Sequence, residues 1–332
     1  MPLTVSVVGV GKIGWKHAAI LSSMPGVELG PLVDVDEERA AEASARFGTA
    51  ATGLETAIDR ADCLFVCTPD PEHTDATLRA IGAGVHAFVE KPLATTSEET
   101  ERLRAAAAAS DAVHMVGHVL RFDPRYRAVR SAVRDGDIGD LVTVTMERLV
   151  QRARLRRTGG VSPPWMRLGV HDFDLLEWAC ATSVTSLSAV ESVGKLGGDG
   201  SAVDEAVSVL ASLDGGGSAT LTMGFCLPDG HPGSIVRTVA TGSEGTVAVD
   251  ASGDETQQWG ERGGSAVDTQ LWPDVAGTPD GALARQDRAF VRAVRKGGSS
   301  PVPFSAGHRA VRIAEAVGTA VSDGERVTVP VP

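Results

Sequence analysis

Three glycines in the pattern Gly9-Val-Gly11-Lys-Ile-Gly14 are the first residues of the chain whose spacing could do chemistry. The first permits a tight turn, the second lets backbone approach a pyrophosphate, and the third lets a helix pack closely on the preceding strand. The helix N-terminus that follows, at Lys12 and Ile13, points N–H donors at an anion. Asp34 lies 20 residues after Gly14. A carboxylate at that remove accepts hydrogen bonds from both ribose hydroxyls and meets a 2′-phosphate as a like charge. The pattern therefore predicts a dinucleotide site that takes NAD in preference to NADP. Arg39 is the nearby basic residue that could rescue NADP.

The elements around this cradle read as a repeating strand and helix pattern. Apolar runs at Val5–Val8, Val27–Val33, Cys63–Cys67, Val85–Val89 and Val113–Val116 alternate with helical segments. Strands apolar on both faces and separated by helices belong to a covered parallel sheet. Thr52 with Glu55, and Thr96 with Glu99, have capping-box spacing, and Asp123-Pro124 starts a further helix. After it the pattern changes to period-two alternations between Leu141 and Val249, separated by glycine-rich turns, as in a mostly antiparallel sheet. Helical patterns return at Gly281–Lys296 and Ala306–Ser322, before a last strand at Arg326–Val329. The polar, Gly-rich stretch Ala251–Ser265 reads as a surface excursion. The expected fold is an α/β Rossmann dinucleotide-binding domain over residues 1–120. An α+β domain with a large, mostly antiparallel open sheet follows over 121–332.

Composition narrows the function. At 332 residues, two domains are expected. A net charge of -12 argues against nucleic acid as a partner. No apolar run approaches the roughly 20 residues of a membrane span, and the start of the chain has no secretion signal, so a cytoplasmic protein is expected. Cys63, Cys67, Cys180 and Cys226 lack zinc spacing and read as buried free thiols, so no metal is expected.

In order along the chain, these segments resemble the Gfo/Idh/MocA family of sugar and cyclitol oxidoreductases. The resemblance is carried by Gly9 to Gly14 with Asp34, then Cys67-Thr68-Pro69 with His73, and Glu90-Lys91-Pro92. It continues through Gly117-His-Val-Leu-Arg121-Phe-Asp-Pro124 and Leu168-Gly-Val-His171-Asp-Phe-Asp174. It implies cofactor contacts from Gly9, Gly11, Lys12, Ile13, Gly14, Asp34, Thr68, Pro69, His73, Glu90 and Lys91. It also implies Lys91 and His171 as the catalytic pair beside the reacting carbon, with Arg121 at the substrate. The residue types suit oxidation of an alcohol. Histidine can take the hydroxyl proton near neutral pH, and a lysine ammonium can hold the oxygen as alkoxide character develops. The family further implies a homodimer or homotetramer formed on the open sheet face.

One position departs from the family. Where the inositol dehydrogenases carry an aspartate four residues before the histidine, this chain has Arg167. An arginine cannot act as a base at neutral pH, but it can hold a carboxylate or phosphate bidentately. Arg148, Arg152, Arg154, Arg156 and Arg157 crowd the stretch that the family runs past the substrate mouth. Together with Arg167 they suggest a small sugar-like substrate that is anionic, such as a nucleotide sugar, sugar phosphate or uronate. Two other readings remain open at this point: an NAD-binding sensor without turnover, and a reductase of an imine or conjugated non-sugar substrate.

Overall fold

A computed structural model describes residues 1–157, 162–193, 204–252, 257–260, 263–266 and 268–331. The chain divides into two compact units, Met1–Val119 with Leu271–Val311, and Leu120–Gln270 with Arg312–Pro332.

In the first unit, strands β1 (Leu3–Val8), β2 (Val27–Val33), β3 (Cys63–Val66), β4 (His86–Val89) and β5 (His114–Val116) form a parallel sheet in the order β2-β1-β3-β4-β5. Helices α1 (Lys12–Ser22), α2 (Glu37–Phe47), α3 (Leu54–Arg60), α4 (His73–Gly82) and α5 (Ser97–Ala108) connect them. Every residue of β3 is buried, which is why that strand reads as an unbroken apolar run. The order reverses between β1 and β3. At such a switch point the connecting loops part and leave a crevice at the C-terminal strand ends.

Local signals set several helix ends. Asp36 accepts the Arg39 N–H at the start of α2, and Gly48 closes it in the left-handed region at φ 68. Thr96 accepts the Glu99 N–H at the start of α5. The box expected at Thr52 and Glu55 does not form. The Thr52 N–H is already committed to the Leu32 carbonyl, so the chain stays extended one residue longer and Gly53 becomes the cap.

Residues 121–332 read as one domain in the sequence, whereas the structure places Leu271–Val311 in the first unit. The helix Gly281–Lys296 supplies the reason. Its Phe290 packs edge-on against Phe65 of β3 and Phe88 of β4, with ring centroids 5.4 and 5.9 Å apart. An amphipathic pattern says that a face is buried, but not against which core.

The second unit opens with α6 (Pro124–Arg134) and β6 (Leu141–Gln151), followed by α7 (Arg152–Arg157), α8 (Pro164–Arg167) and α9 (Gly169–Cys180). Strands β7 (Val184–Val193), β8 (Asp204–Leu213), β9 (Ser218–Leu227), β10 (Ile235–Gly242) and β11 (Thr246–Asp250) complete its sheet with the closing strand Val327–Thr328. The order is β11-β10-β6-β9-β8-β7 and then the closing strand, antiparallel throughout except for the parallel pair β6 and β9. One face is buried and includes Val144, Met146, Val209 and Leu221. Within Ala251–Ser265, a hairpin pairs Gln257–Gly260 with Gly263–Ala266, so part of the expected excursion is regular strand.

Candidate active site

The glycine cradle runs from the end of β1 into α1. Gly9 has φ +84, and a Cβ there would stand 2.7 Å from the Cys67 carbonyl. A Cβ on Gly14 would stand 1.9 Å from the Gly9 carbonyl oxygen. These two glycines therefore serve close packing between the β1 and β3 loops and α1. Gly11 differs, because nothing lies within 4 Å of its Cβ direction. It caps α1 without a side chain that could occupy the first N–H groups. Open space above bare helix donors fits a pyrophosphate approaching at Gly11, Lys12 and Ile13.

Asp34 stands just past β2. Its Oδ2 accepts the Val10 N–H at 2.9 Å and its Oδ1 accepts the Asp36 N–H at 3.0 Å. The carboxylate is thus aimed by the backbone of the cradle itself. Arg39 adds a bond of 3.0 Å to Oδ1 and also reaches Asp36 at 2.9 Å.

The loops after β3 and β4 carry the remaining residues expected to meet the cofactor. Thr68 is half-buried and Pro69 exposed. His73 is buried, with Nδ1 2.7 Å from the Pro92 carbonyl and Nε2 3.0 Å from the Thr68 carbonyl. The ring ties the loops after β3 and β4 together. Glu90 is also buried. Its Oε2 accepts the Lys91 N–H at 3.0 Å, and its Oε1 lies 3.1 Å from Nε2 of His17. The Glu90 carboxylate is therefore engaged by protein and holds up its neighbour Lys91, which is half-buried.

In the second unit His171 lies in the first turn of α9, half-buried, and Arg167 ends α8 four residues earlier. A Cβ on Gly169 would come within 2.7 Å of the Met223 sulfur, so glycine lets the start of α9 approach β9. Three arginines hold this helix. Arg148 chelates Asp172 at 2.7–2.9 Å, Arg121 chelates Asp174 at 2.6 and 2.9 Å, and Arg130 donates to the Trp178 carbonyl. Both carboxylates are nearly inaccessible, at 4% and 2% exposure. Arg121, expected at the substrate, is engaged in an ion pair with Asp174 in this structure. Arg148 leaves the expected basic mouth for the same reason, because its position in β6 faces the core. Arg154 on α7 is exposed. The side chains of Arg156 and Arg157 lie outside the described residues. Among the described residues, no group of three or more His, Cys, Asp or Glu side chains could hold a metal.

Sequence reasoning missed His17 and Asp287. They lie 270 residues apart, and no local spacing links them. The arginines on Asp172 and Asp174 were findable in part, since Arg148 shares the parity of buried Val144, Met146 and Val150 and so demands a buried acid.

A parallel sheet with this cradle and ribose carboxylate at its switch point defines a nucleotide-binding unit of the Rossmann class. The chain belongs to the Gfo/Idh/MocA oxidoreductase family. The family's NAD-binding Rossmann domain matches residues 3–118, and its C-terminal domain matches residues 126–248. Inositol 2-dehydrogenase of Rhizobium meliloti (strain 1021) is 26% identical over 99% of this chain and 100% of its own length. 4-Carboxy-2-hydroxymuconate-6-semialdehyde dehydrogenase of Sphingobium sp. is 25% identical over 89% of this chain and 91% of its own. The crystal structure of scyllo-inositol dehydrogenase from Lactobacillus casei with bound NAD(H) and scyllo-inositol has the same fold, with a TM-score of 0.84. It is 19% identical and covers 99% of both chains. No helix among the described residues is long and apolar enough to cross a membrane.

Proposed function

We propose that this chain is an NAD-dependent dehydrogenase that interconverts a secondary alcohol and a ketone on a sugar-like polyol, and that its substrate carries an acidic group. One observation carries the reading: Gly9–Gly14, Asp34 and Glu90-Lys91 gather at the C-terminal ends of a single parallel sheet. The relatives support the substrate class, because inositol is the named substrate of one and a carboxylated semialdehyde that of another.

NAD, when bound, supplies the hydride acceptor or donor. Gly11, Lys12 and Ile13 would meet its pyrophosphate with backbone donors, Asp34 would accept from its ribose, and Thr68 and Pro69 would border it. In the oxidative direction the Lys91 ammonium holds the substrate hydroxyl oxygen and favours alkoxide character, while His171 takes the hydroxyl proton. Arg121 acts on His171 only through Asp174 and the placement of α9. Arg167 and Arg154 bind the acidic group, bidentately where geometry permits. A cytoplasmic location is in keeping with four free thiols.

The test is NAD reduction measured over a panel of neutral cyclitols, sugars, uronates and sugar phosphates. Turnover of at least one polyol is expected. His171→Ala and Lys91→Ala should each lower that rate roughly a hundredfold or more while NAD affinity holds. Tight NAD binding with no turnover across the panel would overturn the assignment.

A further inference from the structure

Behind Lys91 lies a buried row of charges that the proposed chemistry does not use. The His17 side chain is wholly buried on α1. Its Nδ1 lies 3.0 and 2.9 Å from the two oxygens of Asp287, and its Nε2 lies 3.1 Å from Oε1 of Glu90. Both ring nitrogens face carboxylates, and a carboxylate only accepts. Burial pushes Asp287 above the ordinary carboxylate range, while the charge of His17 and its bond pull it back down; with both carboxylates ionised, both ring nitrogens carry protons and His17 is an imidazolium. Burial alone would push its pKa down; the attraction of Asp287 and the bonds to Asp287 and Glu90 outweigh this and push it up to about 10. Glu90 completes the row by accepting the Lys91 N–H at 3.0 Å. The order Asp287, His17, Glu90, Lys91 alternates negative and positive charge.

This arrangement is costly to keep without a purpose. Ion pairs removed from water roughly break even against apolar side chains of the same shape. Here His17 packs against Phe65 and Phe88, where an apolar residue would fit. Space is reserved for it as well. A Cβ on Gly117 would press within 3.1 Å of Oε1 of Glu90.

We propose that His17 and Asp287 are positioning residues for Lys91. The imidazolium, clamped by Asp287, keeps the Glu90 carboxylate ionised and in place, and that carboxylate anchors the Lys91 main chain and faces its ammonium as counter-charge. The inference rests on the reading of Lys91 as the group that holds the substrate oxygen. The titratable groups facing Glu90 are His17 from α1, Asp287 from the helix Gly281–Lys296, Lys91 beside it, and Cys67 after β3. Burial, together with Glu90 and Asp287, pushes the Cys67 thiol well up, so it stays neutral. Loss of the imidazolium removes the cation bonded to Oε1 of Glu90, and the carboxylate takes up a proton nearer neutral pH.

His17→Gln alone strands Asp287 and can fail to fold, so the informative variant is His17→Gln with Asp287→Asn, compared with Glu90→Gln. Infrared spectra near pH 7 should show the carbonyl stretch of a protonated carboxyl in the double variant. That band should be absent from wild type and vanish when Glu90→Gln is added. NAD affinity should stay within about threefold. Where a polyol is turned over, kcat should fall roughly tenfold or more with KM little changed, since a misplaced catalytic group costs that much or more. The acid limb of kcat should move to higher pH by about one unit. A purely structural role would lower the melting midpoint without the band and without moving the limb, and that result overturns the proposal. If wild type oxidises no polyol, the functional reading fails, and the infrared band still decides whether His17 governs Glu90.

Discussion

Arg39 lays its guanidinium against Asp34, with Nη1 3.0 Å from one carboxylate oxygen and 3.2 Å from the other. The cation is 44% exposed while the carboxylate is 4% exposed, so Arg39 can move away and Asp34 cannot. NAD binding should therefore displace Arg39 at little cost, whereas a 2′-phosphate would meet a fixed negative charge. Calorimetry should show NADP binding about tenfold or more weaker than NAD. Asp34→Ser should release Arg39 to the phosphate and improve NADP, and adding Arg39→Ala should cancel that gain. Tighter binding of NADP than NAD by wild type would remove Asp34 from its role.

Much of this cofactor site was legible because its determinants are local. Three glycines, an acid 20 residues on and an all-apolar β3 each report one loop or strand. What was not legible depends on distant pairings. His17 meets Asp287 only because Leu271–Val311 returns to the first unit. Arg148 reads as a member of a basic mouth until Asp172 is seen to engage it, and the pairing of Arg121 with Asp174 likewise joins residues far apart in sequence. Charge composition counts arginines without saying which face of the sheet they take. Thr52 failed as a cap for a similar reason, since its N–H had a partner in the Leu32 carbonyl.

The buried imidazolium gives a pH dependence of known sign. In the folded chain His17 keeps its proton to about pH 10, against an ordinary value of 6.5. Its contribution to stability is thus complete below about pH 6.5 and is lost as pH rises through 10. Glu90 has the opposite sign. Burial pushes its pKa up, but the bond to His17 and its charge bring it below the ordinary value, so its contribution is lost in acid. The melting midpoint should fall from pH 7 to pH 10, by roughly 5 °C or more. The His17→Gln, Asp287→Asn double variant should start lower and change less over the same range. A wild-type midpoint that is flat there would contradict a charged His17.

The open face of the larger sheet should bind a second copy of this chain. Register aligns Val239, Thr145, Thr220, Leu210 and Ser188 in one row across five strands. Leu210 is 56% exposed and Val190 on the adjoining strand is 74% exposed. Arg237, Glu147 and Asp250 on this face pair with one another, and the row itself is small, neutral or apolar. Such a surface suits a two-fold, self-complementary contact and is a liability if left in water. Light scattering at micromolar concentration should give a dimer or tetramer, and Leu210→Glu should shift it toward monomer with NAD binding retained. A wild-type monomer under those conditions rules this out.

Arg167 is the position where this chain departs from the aspartate expected of the inositol dehydrogenases, and the proposed acidic substrate can be tested there. Against a net charge of -12, Arg152, Arg154 and Arg167 are cations close together in the sequence of the second unit. A charge-assisted contact from Arg167 to a substrate carboxylate or phosphate is worth roughly 1.5–3 kcal/mol, so Arg167→Ala should raise KM about ten- to a hundredfold. Turnover should change less, because an anchoring contact is similar in ground and transition states. Arg167→Lys should recover only part of the loss, since an ammonium lacks the bidentate fork. Added salt should raise the wild-type KM through screening and affect the Ala variant less. Preference for neutral polyols, with KM unmoved in Arg167→Ala, would show that the acidic group is not part of the substrate.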